Sequence, residues 1–156
     1  MVEVLNMTQE EKQLLIKDLC GRLPYGVKCN AFLKQIDGSL KSVFGTFKGY
    51  NGWATVGNNL VDIETVKPYL RPMSSMTYED MQLVREKFFD GSDHYDIDAT
   101  GEIFADTYQP YTSIYTLSFA RLSGYIGWLD KNKFDYRGLI PMGLALEAPK
   151  DMYKTE

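Results

Sequence analysis

Side chains able to do chemistry are few and scattered along this 156-residue chain. The single histidine, His94, lies in a polar acidic stretch, so no second imidazole exists for a His-pair zinc site. Cys20 and Cys29 have eight residues between them and form no C-x-x-C pair, and a Cys–His dyad would need one of them carried to the His94 stretch. Two free thiols, mostly buried and in a reducing compartment, are expected. Neither G-x-G-x-x-G nor G-x-x-x-x-G-K-S/T occurs, which removes the common phosphate-cradling loops. Paired carboxylates can serve as acid and base, but fourteen acids crowd residues 73–156 and pairs arise there by chance. The chain is expected to be non-enzymatic, with no catalytic residue, no cofactor and no metal.

One segment merits a metal test. Asp96-Ile-Asp-Ala-Thr-Gly-Glu-Ile103 places oxygen ligands at alternate positions, then Gly, then an aliphatic residue, as an EF-hand calcium loop begins. The twelfth position is Thr107, where a bidentate Glu is required, and Pro110 spoils the exiting helix. A β-hairpin turning at Ala99-Thr-Gly101 uses the same residues without a cation.

The elements that must position any site follow from pattern. Thr8-Gln-Glu-Glu11 is a capping box that starts a helix, with Leu14, Leu15, Ile16, Leu19 and Cys20 as its apolar stripe and Gly21 and Pro24 as its stop. From Tyr25 to about Tyr69, short β-branched and aromatic runs alternate with turn signals at Asp37-Gly38, Asn51-Gly52 and Gly57-Asn58-Asn59. Strands over Val27–Ile36, Leu40–Tyr50, Trp53–Val56 and Leu60–Glu64 would form a small antiparallel meander sheet or a half-open barrel, with Gly45 and Gly49 at its bends. Residues 66–76 read as an extended connector because of Pro68 and Pro72. Thr77-Tyr-Glu-Asp80 caps a second helix that carries Met81, Val84 and Phe88 on one face. A third helix spans Ser113–Lys131, where Gly124 and Gly127 allow close packing, and a short extended segment ends the chain. The fold class is α+β, as one domain over residues 1–156.

Composition fits this reading: 44% hydrophobic and 24% charged residues describe a globular chain. No stretch approaches the roughly 20 apolar residues that span a bilayer, and the opening MVEVLNMTQEEK lacks the basic and apolar regions of a secretory signal. A cytoplasmic protein without membrane contact is expected. The net charge of −4 is uneven, with nine Lys/Arg against seven Asp/Glu in residues 1–72 and eight against fourteen in residues 73–156. Six acids between Asp90 and Asp106 have no Lys or Arg among them, which marks an acidic, solvated loop or hairpin.

Three blocks carry a resemblance: Asp18-Leu-Cys-Gly-Arg-Leu-Pro-Tyr-Gly-Val27, Tyr69-Leu-Arg-Pro-Met-Ser-Ser-Met-Thr77, and Trp128 through Tyr153 with its Phe134-Asp-Tyr-Arg-Gly-Leu-Ile-Pro core. On these the chain resembles a family of small hypothetical proteins from gut Bacteroidales and their phages or mobile elements. The resemblance implies a source and a shared fold, with residues 90–111, which lie outside its blocks, as an acidic loop or hairpin insertion. It implies no mechanism, because no activity is established for that family.

Two binding functions remain open. A protein-interaction or accessory module would recognise an unidentified protein or a second copy of itself through exposed aromatics such as Tyr108, Tyr111, Tyr115 and Tyr136, with Arg137 beside them. The alternative is a small nucleic-acid-binding barrel using Lys28, Lys34, Lys41 and Lys48, with Tyr25, Phe44, Phe47, Tyr50 and Trp53 interleaved. Alternation places aromatics such as Phe44 in the core rather than on a platform. For Asp135 and Arg137 a structural role competes with recognition: Asp135 can cap the turn that begins at Tyr136, and Arg137 can pair with a nearby acid.

Overall fold

The structure, a computed structural model, describes residues 7–89, 95–97, 103–105 and 119–153. Helix α1 (Gln9–Gly21) begins at the expected capping box: the Glu11 amide donates to the Thr8 hydroxyl at 3.1 Å and the Glu11 carboxylate receives the Thr8 amide at 3.3 Å. Strands β1 (Lys28–Lys34) and β2 (Leu40–Tyr50) form the hairpin across Asp37-Gly38, and β3 (Ala54–Val56) and β4 (Asn59–Val61) form the next one. Gly38 takes φ 86°, a left-handed conformation that glycine adopts without a Cβ clash.

The Val66–Met76 segment is a correction to the sequence reading. Lys67–Leu70 is a full strand, β5, antiparallel to β1 and parallel to the last strand, β8 (Leu146–Glu147). Pro68 is tolerated because it opposes Cys29, and the ladder positions of β1 that face β5 are its neighbours Lys28 and Asn30. At the Lys28 position the Tyr153 hydroxyl enters the ladder, accepting from the Lys28 amide at 2.9 Å and donating to the Tyr69 carbonyl at 2.9 Å. The sheet order is β4-β3-β2-β1-β5-β8, open at β4 and β8.

Helix α2 (Tyr78–Phe88) starts at the second capping box, where Asp80 donates its amide to Thr77 and receives the Thr77 amide. Strands β6 (Tyr95–Ile97) and β7 (Ile103–Ala105) pair antiparallel around the expected turn. Helix α3 (Phe119–Lys131) is described from Phe119; the expected start at Ser113 lies outside the described residues.

Two apolar clusters result. The inner face of the sheet, with Cys29, Ala31, Val43, Phe47, Val56 and Leu70, packs against Leu15 and Leu19 of α1. Helices α2 and α3 enclose the second, where Val84, Tyr125, Trp128 and Phe134 meet. Phe44 is a correction: at 58% exposed it points outward, because the inward phase of β2 belongs to Val43 opposite Ala31 and to Phe47. Of the two cysteines only Cys29 is buried; Cys20 sits on the open side of α1. Burial pushes the Cys29 thiol well above its usual range, and the Asp18 carboxylate adds to that. A thiol reagent is therefore expected to modify one cysteine in the native protein, Cys20, and both after denaturation.

Two glycines separate close packing from mere tolerance. A Cβ on Gly45 would stand 2.8 Å from the Gly57 amide nitrogen and 2.9 Å from its Cα, backbone that cannot swing aside, whereas one on Gly127 would meet nothing within 4 Å. Gly45→Ala is expected to lower unfolding free energy by about 1–3 kcal/mol. Gly127→Ala is expected to raise it by up to about 1 kcal/mol through helix propensity. Urea titration of the two variants checks both signs.

Candidate functional site

The densest polar chemistry lies where α1 ends. Arg22 and Asp18 are each 0% exposed, one helical turn apart, and joined by two hydrogen bonds of 2.9 Å, from Arg22 Nε to Asp18 Oδ2 and from Nη2 to Oδ1. The same guanidinium donates to the main-chain carbonyls of Phe134 at 2.7 Å and Leu129 at 3.4 Å. Arg137 donates to Asp18 Oδ1 at 2.7 Å and pairs with Asp130 Oδ1 at 3.5 Å, while the Tyr136 hydroxyl donates to the same Asp130 oxygen at 2.9 Å. Both guanidinium groups lie over the Tyr136 ring, Arg137 at 4.5 Å and Arg22 at 5.5 Å. Gly21 lines this cluster; a Cβ there would stand 3.4 Å from Arg137 Nη2.

The shifted groups follow from that packing. Burial raises the Asp130 carboxyl, opposed by the Tyr136 hydrogen bond and by Arg22 and Arg137. Burial also pushes the Tyr136 hydroxyl up, reinforced by its bond to Asp130, so it stays protonated as a donor. Arg137 would lose charge affinity by burial, but its bond to Asp18 reverses the sign and holds it above its usual value. Two cations and two anions face one another here, and the donors of Arg22 are taken by the Asp18 carboxylate and the two carbonyl oxygens.

The turn that follows is equally constrained. Asp135 receives the amides of Leu139 and Ile140, each at 2.8 Å. The Phe134 ring stacks on Trp128 at 5.5 Å with 19° between planes, worth about 0.5–1.5 kcal/mol, and lies under the Arg71 guanidinium at 4.1 Å. Arg71 is bracketed by main-chain bonds, to the Lys133 carbonyl at 2.7 Å and from the Asp135 amide at 2.8 Å. Tyr136 and Arg137 are thus brought together as part of a tie between α1, α3 and the 134–137 turn. Tyr108, Tyr111, Tyr115 and His94 lie outside the described residues, as do positions 98–102 of the calcium-like segment. Sequence reasoning missed Asp18 and Arg22. Their spacing of four inside the first resembling block was the available signal, but their partners are 112 and 119 residues away.

The open chemistry is on the sheet. Lys28, Lys34 and Lys67 take the outward register with Phe44 and Tyr69, whose rings meet edge to face at 5.8 Å; Lys41 takes the opposite register and Lys48 is exposed beside the Phe47/Gly49 bulge. At the far end of the sheet Leu33, Leu40, Trp53 and Leu60 line a cleft of about 560 Å³, with Lys34 and Asp62 on its rim. Trp53 is 57% and Leu60 63% exposed, and Ile36 stands wholly in water on the adjoining hairpin tip.

No family model, curated protein or solved structure matches the chain. Among the described residues no helix is long and apolar enough to cross a membrane, and no group of three His, Cys, Asp or Glu side chains is placed to hold a metal ion.

The buried tie predicts unequal costs for its two arginines. Arg22→Ala removes two of the three hydrogen bonds to the buried Asp18 carboxylate, leaving it Arg137 alone, and is expected to cost about 3–5 kcal/mol. Arg137→Ala is expected to cost less, since its side chain is 16% exposed and Asp18 keeps both Arg22 bonds. Chemical denaturation of the two variants measures the order.

Proposed function

We propose that this chain is a non-catalytic protein-interaction module, an accessory protein of a phage or mobile element acting in the cytoplasm. The observation that carries the reading is the exposed apolar patch of Ile36, Leu40, Trp53 and Leu60 around the cleft. These side chains make no contribution to the core, and a contiguous apolar surface with charged groups at its rim fits a protein partner. The resembling blocks at residues 18–27, 69–77 and 128–153 support the source. The best-connected polar residues, Asp18, Arg22, Asp130 and Arg137, satisfy one another, which supports a role without catalysis.

A second reading has its own observation. Phe44 is exposed beside Tyr69 on a face where Lys28, Lys34 and Lys67 have no acid in register, which suits a single-stranded nucleic acid stacked on rings and neutralised by ammonium groups. Against it, three of the four most prominent patch residues are aliphatic or rim an apolar cleft, and bases stack on rings rather than on Ile or Leu.

Affinity capture from source cells with the wild-type chain, Leu60→Lys and Tyr78→Lys tests the first reading. Tyr78 is as exposed as Leu60 but belongs to α2, away from the cleft. A stoichiometric protein kept by wild type and Tyr78→Lys and lost by Leu60→Lys is expected. Equal retention by all three, together with oligonucleotide binding that falls steeply with salt and with Phe44→Ala, would transfer the function to the second reading.

A further inference from the structure

Backbone alternation leaves strand edges open at the cleft. The Gln35 amide donates to the Ser39 carbonyl at 2.8 Å, so the bonded pairs of the hairpin fall on Gln35/Ser39, Leu33/Lys41 and Ala31/Val43. Phe32 and Lys34 therefore turn their main-chain groups away from β2. Thr65 Oγ1 serves the Phe32 amide and carbonyl, each at 3.3 Å, while the main-chain groups of Lys34 have no such partner among the described residues. Across the cleft the two-residue turn Gly57-Asn58 makes Val56/Asn59 and Ala54/Val61 the bonded pairs, and Leu60 turns its main-chain groups outward from the end strand. Open edges of this kind invite another strand unless something covers them.

The patch also contains both halves of each feature it would need in a partner. Ile36 is an apolar protrusion on a turn where no backbone rule requires it, and the cleft lined by Leu33, Leu40, Trp53 and Leu60 is an apolar recess beside it. Lys34 supplies a cation to the rim and Asp62 an anion. A two-fold interface demands this property, because there residue i meets residue j while j meets i.

We propose that the cleft is filled by a second copy of this chain across a two-fold axis. Ile36 of each copy seats on Leu40, Trp53 and Leu60 of the other, Lys34 faces Asp62 of the other copy, and the open Lys34 edges are covered within the contact. This inference rests on the protein-partner reading and names that partner.

Sedimentation of the full chain from low micromolar to near-millimolar concentration tests it, with the 17.9 kDa monomer as reference. Wild type is expected to reach twice that mass, and Leu60→Lys to remain monomeric. Lys34→Asp and Asp62→Lys place like charges across the axis at both pairs, and each is expected to weaken the dimer at least about tenfold. An equimolar mixture of those two variants is expected to restore a one-to-one dimer, because every pair across the axis is then opposite in sign. Loss of folding cannot imitate that rescue. A wild-type chain that stays monomeric at every concentration overturns the dimer, as does a mixture that associates no better than its parts. If the chain is monomeric and Leu60→Lys still loses a foreign protein that Tyr78→Lys keeps, the dimer fails and the protein-partner reading stands.

Discussion

A guanidinium keeps its proton wherever it is placed, so an arginine with no exposed surface must bring its acceptors in with it. Arg22 does this at the end of α1. Two acceptors come from its own helix, through Asp18, and two come from the other end of the chain, as the carbonyls of Leu129 and Phe134. Both carbonyls are main-chain groups at the C-terminal end of α3 or just past it, and each also accepts a main-chain amide, Leu129 from Phe134 at 2.9 Å and Phe134 from Tyr136 at 3.1 Å. Arg22 adds a second donor to each. One side chain thus joins α1, which lies on the sheet core, to α3 and its turn, which close the second apolar cluster.

The other polar contacts extend that joint. Arg137 gives Asp18 and Asp130 each a second cation beside Arg22, and Tyr136 places its ring beneath both guanidinium groups and donates to Asp130. Arg71 holds the next strand to the same turn through main-chain bonds on either side of it and its place over Phe134. Residues of the three blocks 18–27, 69–77 and 128–153 meet at this joint. The surfaces that folding does not consume are the outward sheet face and the cleft at its end.

Local physics made much of the fold legible. The capping boxes at Thr8 and Thr77 announced α1 and α2 because each closes within four residues, and Asp37-Gly38 announced the β1–β2 hairpin for the same reason. Gly124 read as a packing contact, and a Cβ there would stand 2.8 Å from Phe88 Cε1. What escaped notice depends on distant partners. Pro68 argued against a strand until its pair was known to be Cys29, a position that asks no ladder donor of it. Strand β8 is two residues long and exists only because β5 lies beside it. Alternation along β2 divided Phe44 from Val43, but the reading that put Phe44 in the core took the wrong phase, which only the packing of α1 on Val43 and Phe47 decides. Of the candidate site, Tyr136 and Arg137 were visible as polar residues in a distinctive block, whereas Asp18 and Arg22 looked like ordinary helix-surface charges.

The central claim is that the Arg22 joint makes the sheet core and the helical cluster one cooperative unit. Trp53→Phe leaves Trp128 as the sole tryptophan, a fluorescent probe inside the helical cluster, and Cys29 labelling reports opening of the sheet core. Urea unfolding followed by both probes on that variant should give coincident transitions with one midpoint. Loss of the Trp128 signal at lower urea, while Cys29 stays protected, would contradict the account.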